Sequence, residues 1–431
     1  MAKDWTQHLN EIQQRLDRLT RSTDVDSRSK TAALLLEKAE TLYRLGDGAG
    51  ELQTLQQIVD DFDSDSHHDA VVSYCSALRN LALTHFHTEP TPQAARYMDQ
   101  LRRHAEHDDP RARCQVVRGL TQFAAYLADL GRPEASQATF DSVITLFLDD
   151  AAEPVREQLA RAMFDRALTL VRHADRAGEH AAYHALIGAL SGDDSNGVRL
   201  QVCKAHVNLM IDACREGDAE ATFSHGEAVS RLAGQRAHAG LQDQFARSRI
   251  TLARLHDSLG QHGRECAALD ELIARLETST FSLSRVHIAD ALNRKGRCLA
   301  LDQQDPQAAL DCHVQVVERF GDTPLAFDGD GEDPYECRDH GSLIRHLARA
   351  MFYCAQACAE LKDHDSARAW LHRLDVSYGR SEDGDVLALL TRGHDLSLQI
   401  ERDALRRNTL SARFAHGALE PAAGLDTASI R

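Results

Sequence analysis

Cations recur at a fixed interval in this chain. Arg118, Arg161, Lys204 and Arg247 stand 43 residues apart, and Arg349 continues the row after an interruption. Side chains of this kind, repeated at one spacing, suit an extended acidic ligand that offers one carboxylate per step. The alternative is structural: each cation pairs with an acid of the adjacent repeat, such as Glu157 or Asp165. Asp290 stands where the row would place another cation, and Asn293 and Arg297 fall three and seven residues beyond it, on the same helical face. A second group lies in residues 321–341, GDTPLAFDGDGEDPYECRDHG. Here Asp328, Asp330 and Glu332 imitate the first ligand positions of a calcium loop. Asp333 stands where that loop needs Gly, however, and Asp339 where it needs a bidentate Glu. The segment, with Tyr335, is read either as a solvated insertion or as an interaction loop.

Other metal and catalytic patterns are incomplete. Cys337, His340, His346 and Cys354 have no zinc-finger spacing. His180 and His184 lie one helical turn apart without the HExxH pattern of zinc peptidases. His-Asp dipeptides begin at 68, 107, 256, 364 and 394, and such pairs occur in helical metal-dependent phosphohydrolases. That is the enzymatic alternative here. No phosphate-binding loop, nucleophile elbow or dinucleotide fingerprint is present, since GDGAG at 46–50 follows a helical pattern rather than a strand. No catalytic residue, metal ligand set or cofactor is therefore expected.

The elements that carry the row follow from a repeat. The hexapeptide LARAMF occurs at Leu159–Phe164 and again at Leu347–Phe352. Stepping by 43 residues from Ala162 reaches Ala205, Ser248 and Ala291 forwards and Gly119, Ser76 and Ala33 backwards. After 16 extra residues the next member is Ala350. A ladder of Ala, Ser and Gly marks a place where a neighbouring helix comes too close for a larger side chain. Twelve residues after the ladder stand Gly131, Ala174, Gly217 and Gly260, where helices stop. Each step holds two helices and two turns, and LARAMF is read as opening the first helix of the fourth and eighth repeats. With 9 prolines and 5% aromatic residues, the composition agrees: the fold is all-α, an α-solenoid of about eight stacked antiparallel helical hairpins.

The repeat resembles the tetratricopeptide-like helical repeats, in a long bacterial variety of about 43 residues. The resemblance is carried by Ala291, Leu292, Lys295, Gly296 and Leu299, then Ala308, Ala309 and Leu310, then Val316–Asp322. Leu159–Ala167, with Ala152, Glu153 and Pro154 upstream, is a second match. It implies an interaction module whose early first-helix positions, here the cation row, face a concave groove.

Residues 1–28 are read as an amphipathic capping or docking helix, because Trp5, Leu9, Ile12, Leu16 and Leu19 form one apolar stripe. Homodimerisation through this helix is the alternative to a cap. Residues 29–380 hold the repeats, and 381–431 a capping helix followed by a mobile tail. The net charge of −17 disfavours nucleic acid, and no apolar run is long enough to span a bilayer. Ten cysteines without CxxC pairs, and an N-terminus without a signal-peptide core, point to a cytoplasmic location. The function expected is a non-catalytic protein- or peptide-binding scaffold. A peptide- or ligand-gated regulator is the alternative, though too few residues precede the first repeat for a helix-turn-helix domain.

Overall fold

The structure, a computed structural model, describes residues 4–19, 25–63, 68–88, 92–235, 238–279, 281–321 and 334–417. Eighteen α-helices and no strands occupy them. The chain forms two compact units, residues 1–248 and 249–431.

In the first unit α1 (Trp5–Leu19) precedes a series of hairpins. These are α2 (Val25–Arg44) with α3 (Gly48–Phe62), α4 (His68–Thr88) with α5 (Pro92–Arg102), and α6 (Pro110–Asp129) with α7 (Pro133–Phe147). Then come α8 (Glu153–Arg172) with α9 (Arg176–Leu190) and α10 (Asn196–Glu216) with α11 (Ala219–Ala233). The boundary between units falls inside α12 (Ala239–Ser258). The second unit continues with α13 (His262–Leu276), α14 (Ser282–Leu301) and α15 (Pro306–Phe320). It ends with α16 (Pro334–Glu360), α17 (His364–Tyr378) and α18 (Gly384–Gly417). First helices stack on first helices of the next repeat, as α6 does on α8 and α14 on α16, so the fold is an all-α solenoid of helical hairpins.

The turn chemistry is local. Gly131, Ala174, Gly217 and Gly260 all adopt positive φ, from 58° to 78°. At Gly131 the left-handed turn lets Gly131 N–H donate to the Ala128 carbonyl and Arg132 N–H to that of Leu127, closing α6. Second helices then start on aspartate caps: Asp47, Asp175, Asp218, Asp305 and Asp363 each accept a backbone N–H three residues on. Part of the acidic surplus therefore serves helix N-termini.

The ladder is buried at Ser76, Gly119, Ala162, Ala205, Ser248, Ala291 and Ala350. At Gly119 a Cβ would stand 2.4 Å from Leu101 Cδ2 of the preceding hairpin. Ala33 departs from the pattern: it is exposed and its neighbour Ala32 is buried. α2 packs on the single helix α1 through Ile12 and Leu16 rather than on a preceding hairpin, and the contact falls one residue earlier. Leu in place of Ala162 or Ala205, both without exposed surface, is expected to overpack the helix contact and lower stability by roughly 1–3 kcal/mol. Unchanged thermal midpoints for both variants would mean the position is not a close contact.

Three boundaries differ from the sequence reading. LARAMF lies inside its helices, Leu159 being the seventh residue of α8, because α8 begins at Glu153, just before Pro154, and α16 at Pro334. Residues 334–341, read as loop, belong to α16, which at 27 residues exceeds the 20 or 21 of other first helices. α18 continues to Gly417, through residues read as tail; 418–431 lie outside the described residues.

Candidate functional site

The cations of the first unit lie on or near the surface. Arg118 Nε donates to Gln158 Oε1 of α8 at 3.0 Å. Arg161 is 69% exposed and reaches only Asp165, at 3.8 Å on its own helix. Lys204 is half-buried, its Nζ 5.5 Å from the centre of the Phe164 ring. Burial pushes its pKa down, Arg161 and Arg247 add to the effect, and Asp165 and Asp243 oppose it. Arg247 is exposed. Glu157, offered as a structural partner, instead accepts the Gly197 N–H at the start of α10, 3.0 Å away.

Inter-repeat ion pairs do exist, five residues earlier in two of the repeats. Arg113 Nε meets Asp150 Oδ2 at 2.7 Å and Arg156 Nε meets Asp193 Oδ2 at 2.5 Å, each pair mostly buried. Burial raises the pKa of both aspartates, but the guanidinium and backbone hydrogen bonds outweigh it and hold them below the usual carboxylate range. Sequence reasoning missed these pairs, although Arg113, Arg156 and Arg199 share the 43-residue step.

In the second unit the remaining row members converge. A cavity of about 360 Å³ is lined by Asp290, Asn293, Arg294 and Arg297 of α14, Arg349 and Tyr353 of α16, and Asp385, Ala388, Leu389 and Arg392 of α18. Helical spacing puts each set on one face of its helix. Four guanidiniums therefore meet two carboxylates, and one of the four is committed: Arg294 Nε lies 2.9 Å from Asp290 Oδ2. Asp385 is drawn outwards to Arg345, at 4.0 Å. Arg297 and Arg349 have no ion-pair partner among the described residues, and Arg392 lies over the Phe352 ring at 4.4 Å. Burial would raise the Asp290 pKa, but Arg294, His346 and Arg349 together hold it below its usual value. A groove of about 890 Å³ continues along α16 and α18 and shares Arg392.

Asn293 differs in kind. It is 2% exposed, its Oδ1 lies 3.0 Å from His313 Nδ1, and its Nδ2 donates to the His346 carbonyl at 2.9 Å. It forms the packed floor of the cavity rather than a free contact. Gly296, one of the residues of the family resemblance, leaves room for the same His313, whose Nε2 would stand 2.5 Å from a Cβ there. Burial depresses the pKa of both His313 and His346 to about 4; near His346, cations add to this and Asp290 opposes it.

Asp328, Asp330 and Glu332 lie outside the described residues, and Tyr335 falls in the first turn of α16 with its side chain outside them. His180 Nε2 is held by Asp212 at 3.1 Å, and His184 faces His225. His346 is half-buried and Cys354 buried along α16, and they do not meet in a ligand cluster among the described residues. The described members of the His-Asp dipeptides do not meet in one either. No described helix is long and apolar enough to cross a membrane.

No family model matches the chain, and no curated protein does. Among solved structures, the apo form of RapI aligns over 80% of this chain and 88% of its own, at 12% identity and a TM-score of 0.47. An engineered protein aligns over 90% of this chain and 98% of its own, at 15% identity and a TM-score of 0.45. A tetratricopeptide repeat protein from Parabacteroides merdae covers 73% of this chain and 99% of its own, at 11% identity and a TM-score of 0.30. Identities and scores this low carry no functional argument. Its own hairpin order, left-handed turns and close-packed ladder make the chain an all-α solenoid of helical hairpins, the fold that the sequence resemblance implies.

Proposed function

We propose that this chain is a non-catalytic interaction module that binds an acidic segment of a protein or peptide. The observation that carries the reading is the cavity of the second unit, where Arg297, Arg349 and Arg392 gather without a matching set of carboxylates. In a chain of net charge −17, cations gathered in a recess select for a carboxylate-bearing ligand, because the rest of the surface repels it. The adjoining groove along α18 gives an extended segment somewhere to continue. Tyr353 and Leu389 supply apolar surface between the charges, as a recognition pocket needs.

The exposed cations Arg118, Arg161 and Arg247 of the first unit are a separate surface in this reading, adding attraction at a distance rather than the defining contact. Arg297→Glu with Arg392→Glu, at two exposed positions, is expected to abolish co-purification of the partner while leaving the thermal midpoint within about 1 °C. The Arg161→Glu with Arg247→Glu pair should retain it. If the first pair keeps the partner and the second loses it, the site lies in the first unit and this assignment is wrong.

A further inference from the structure

Away from the cavity, the first turn of α13 and the last turn of α14 bring four metal-binding side chains together. His262, Glu265, Cys298 and Asp302 each offer one ligand atom, and these atoms all lie within 4.8 Å of one another. His262 Nδ1 is 3.4 Å from Asp302 Oδ2 and 3.6 Å from Glu265 Oε2. Those separations fit a tetrahedral ion, whose ligand atoms stand roughly 3.3–3.8 Å apart when each bond is about 2.0–2.3 Å. A second thiol, Cys266, lies 3.6 Å from the Cys298 sulfur.

The independent observation is an unmet demand for contacts. Glu265 is 6% exposed, and both its Oε2 and His262 Nδ1 are buried without a hydrogen-bond partner. A carboxylate oxygen is rarely left so, because burying it without a donor is strongly unfavourable. A cation among these atoms removes the difficulty. Asp302, about one-third exposed, keeps the group open to solvent.

We propose that His262, Glu265, Cys298 and Asp302 form a zinc site that staples α13 to α14. Mixed nitrogen, sulfur and carboxylate ligands in fourfold arrangement select zinc over calcium or magnesium, which take oxygen ligands in larger number. On binding, the Cys298 S–H bond breaks, its proton passes to solvent, and the thiolate sulfur donates to the metal, so affinity rises with pH. With all four positions filled by protein, the site is structural. It stands against the expectation of no metal that the sequence supports, and the reason is spacing. HxxE opens one helix and CxxxD closes the next, so no finger pattern results.

The test uses the full chain, stripped with chelator and titrated with Zn²⁺ or Co²⁺ in reductant. The expected result is one ion per chain, a rise in Tm of about 5–10 °C at a hundredfold excess over Kd, and a thiolate-to-cobalt charge-transfer band. Asp302→Ala should weaken binding at least about tenfold without lowering the Tm of the metal-free chain. Cys298→Ser should remove the charge-transfer band. A wild-type cobalt complex without that band would overturn the proposal, as would equal zinc binding by wild type and Asp302→Ala, the behaviour of scattered surface histidines.

Discussion

Acidification from pH 7.5 to 5 is expected to destabilise the second unit by about 4 kcal/mol through two histidines alone, His313 and His346, each held at a pKa of about 4. The sign follows from which state binds the proton. Unfolded histidine titrates near 6.5 and the buried rings near 4, so between these values the unfolded chain binds more protons and stability falls as pH falls. Their stabilising effect is complete above about pH 6.5 and is lost progressively down to about pH 4. At pH 5 the loss is about 2 kcal/mol for each. Urea denaturation at a series of pH values measures the slope. His313→Gln, which keeps an amide beside Asn293 but cannot titrate, should reduce that slope by about half. An unchanged slope in the variant would mean the ring is not held neutral by burial.

The second large effect centres on Asn293. Leu at this position matches its size but offers no amide, so His313 Nδ1–H loses its acceptor and the His346 carbonyl loses a donor, both in the packed interior. A buried polar group left without a partner is worth about 1–3 kcal/mol. The expected loss is roughly 2–4 kcal/mol for the variant, the carbonyl being the lesser part because its second lone pair remains available. Denaturant midpoints would read this directly, with an unchanged midpoint as the contrary result. The same experiment separates floor from wall in the cavity, since Arg297→Glu should leave the midpoint where it is.

Asn293 also shows where a sequence reading reaches its limit. Helical spacing puts it on the face of Asp290 and Arg297, but spacing does not say how deep a face is packed. The fold was legible because close helix contact forces one residue type at one position. Gly119, Ala162 and Ala205 are small for that reason, and Gly131 and Gly217 mark left-handed turns that most side chains avoid. The cavity was only partly legible. Arg297 and Arg349 stood out through their place in the row, whereas Arg294 and Arg392 did not. Arg392 comes from α18, a helix outside the repeat period, and no periodicity in α14 points to it. Likewise the ligand group at His262 and Cys298 depends on two helix ends meeting, which is a tertiary fact.

Titration of a fluorescent glutamate-rich peptide by anisotropy shows whether the arginine-lined cavity holds an acidic segment. The wild-type chain should bind with an affinity that falls steeply between 50 mM and 1 M salt, as the screening length shrinks from more than 10 Å to about 3 Å. Arg297→Glu with Arg392→Glu should weaken binding by about 3 kcal/mol or more, at least roughly 100-fold, at unchanged Tm. Equal affinity of the two proteins for the peptide, or wild-type binding that salt does not weaken, would mean that the cavity does not hold such a segment.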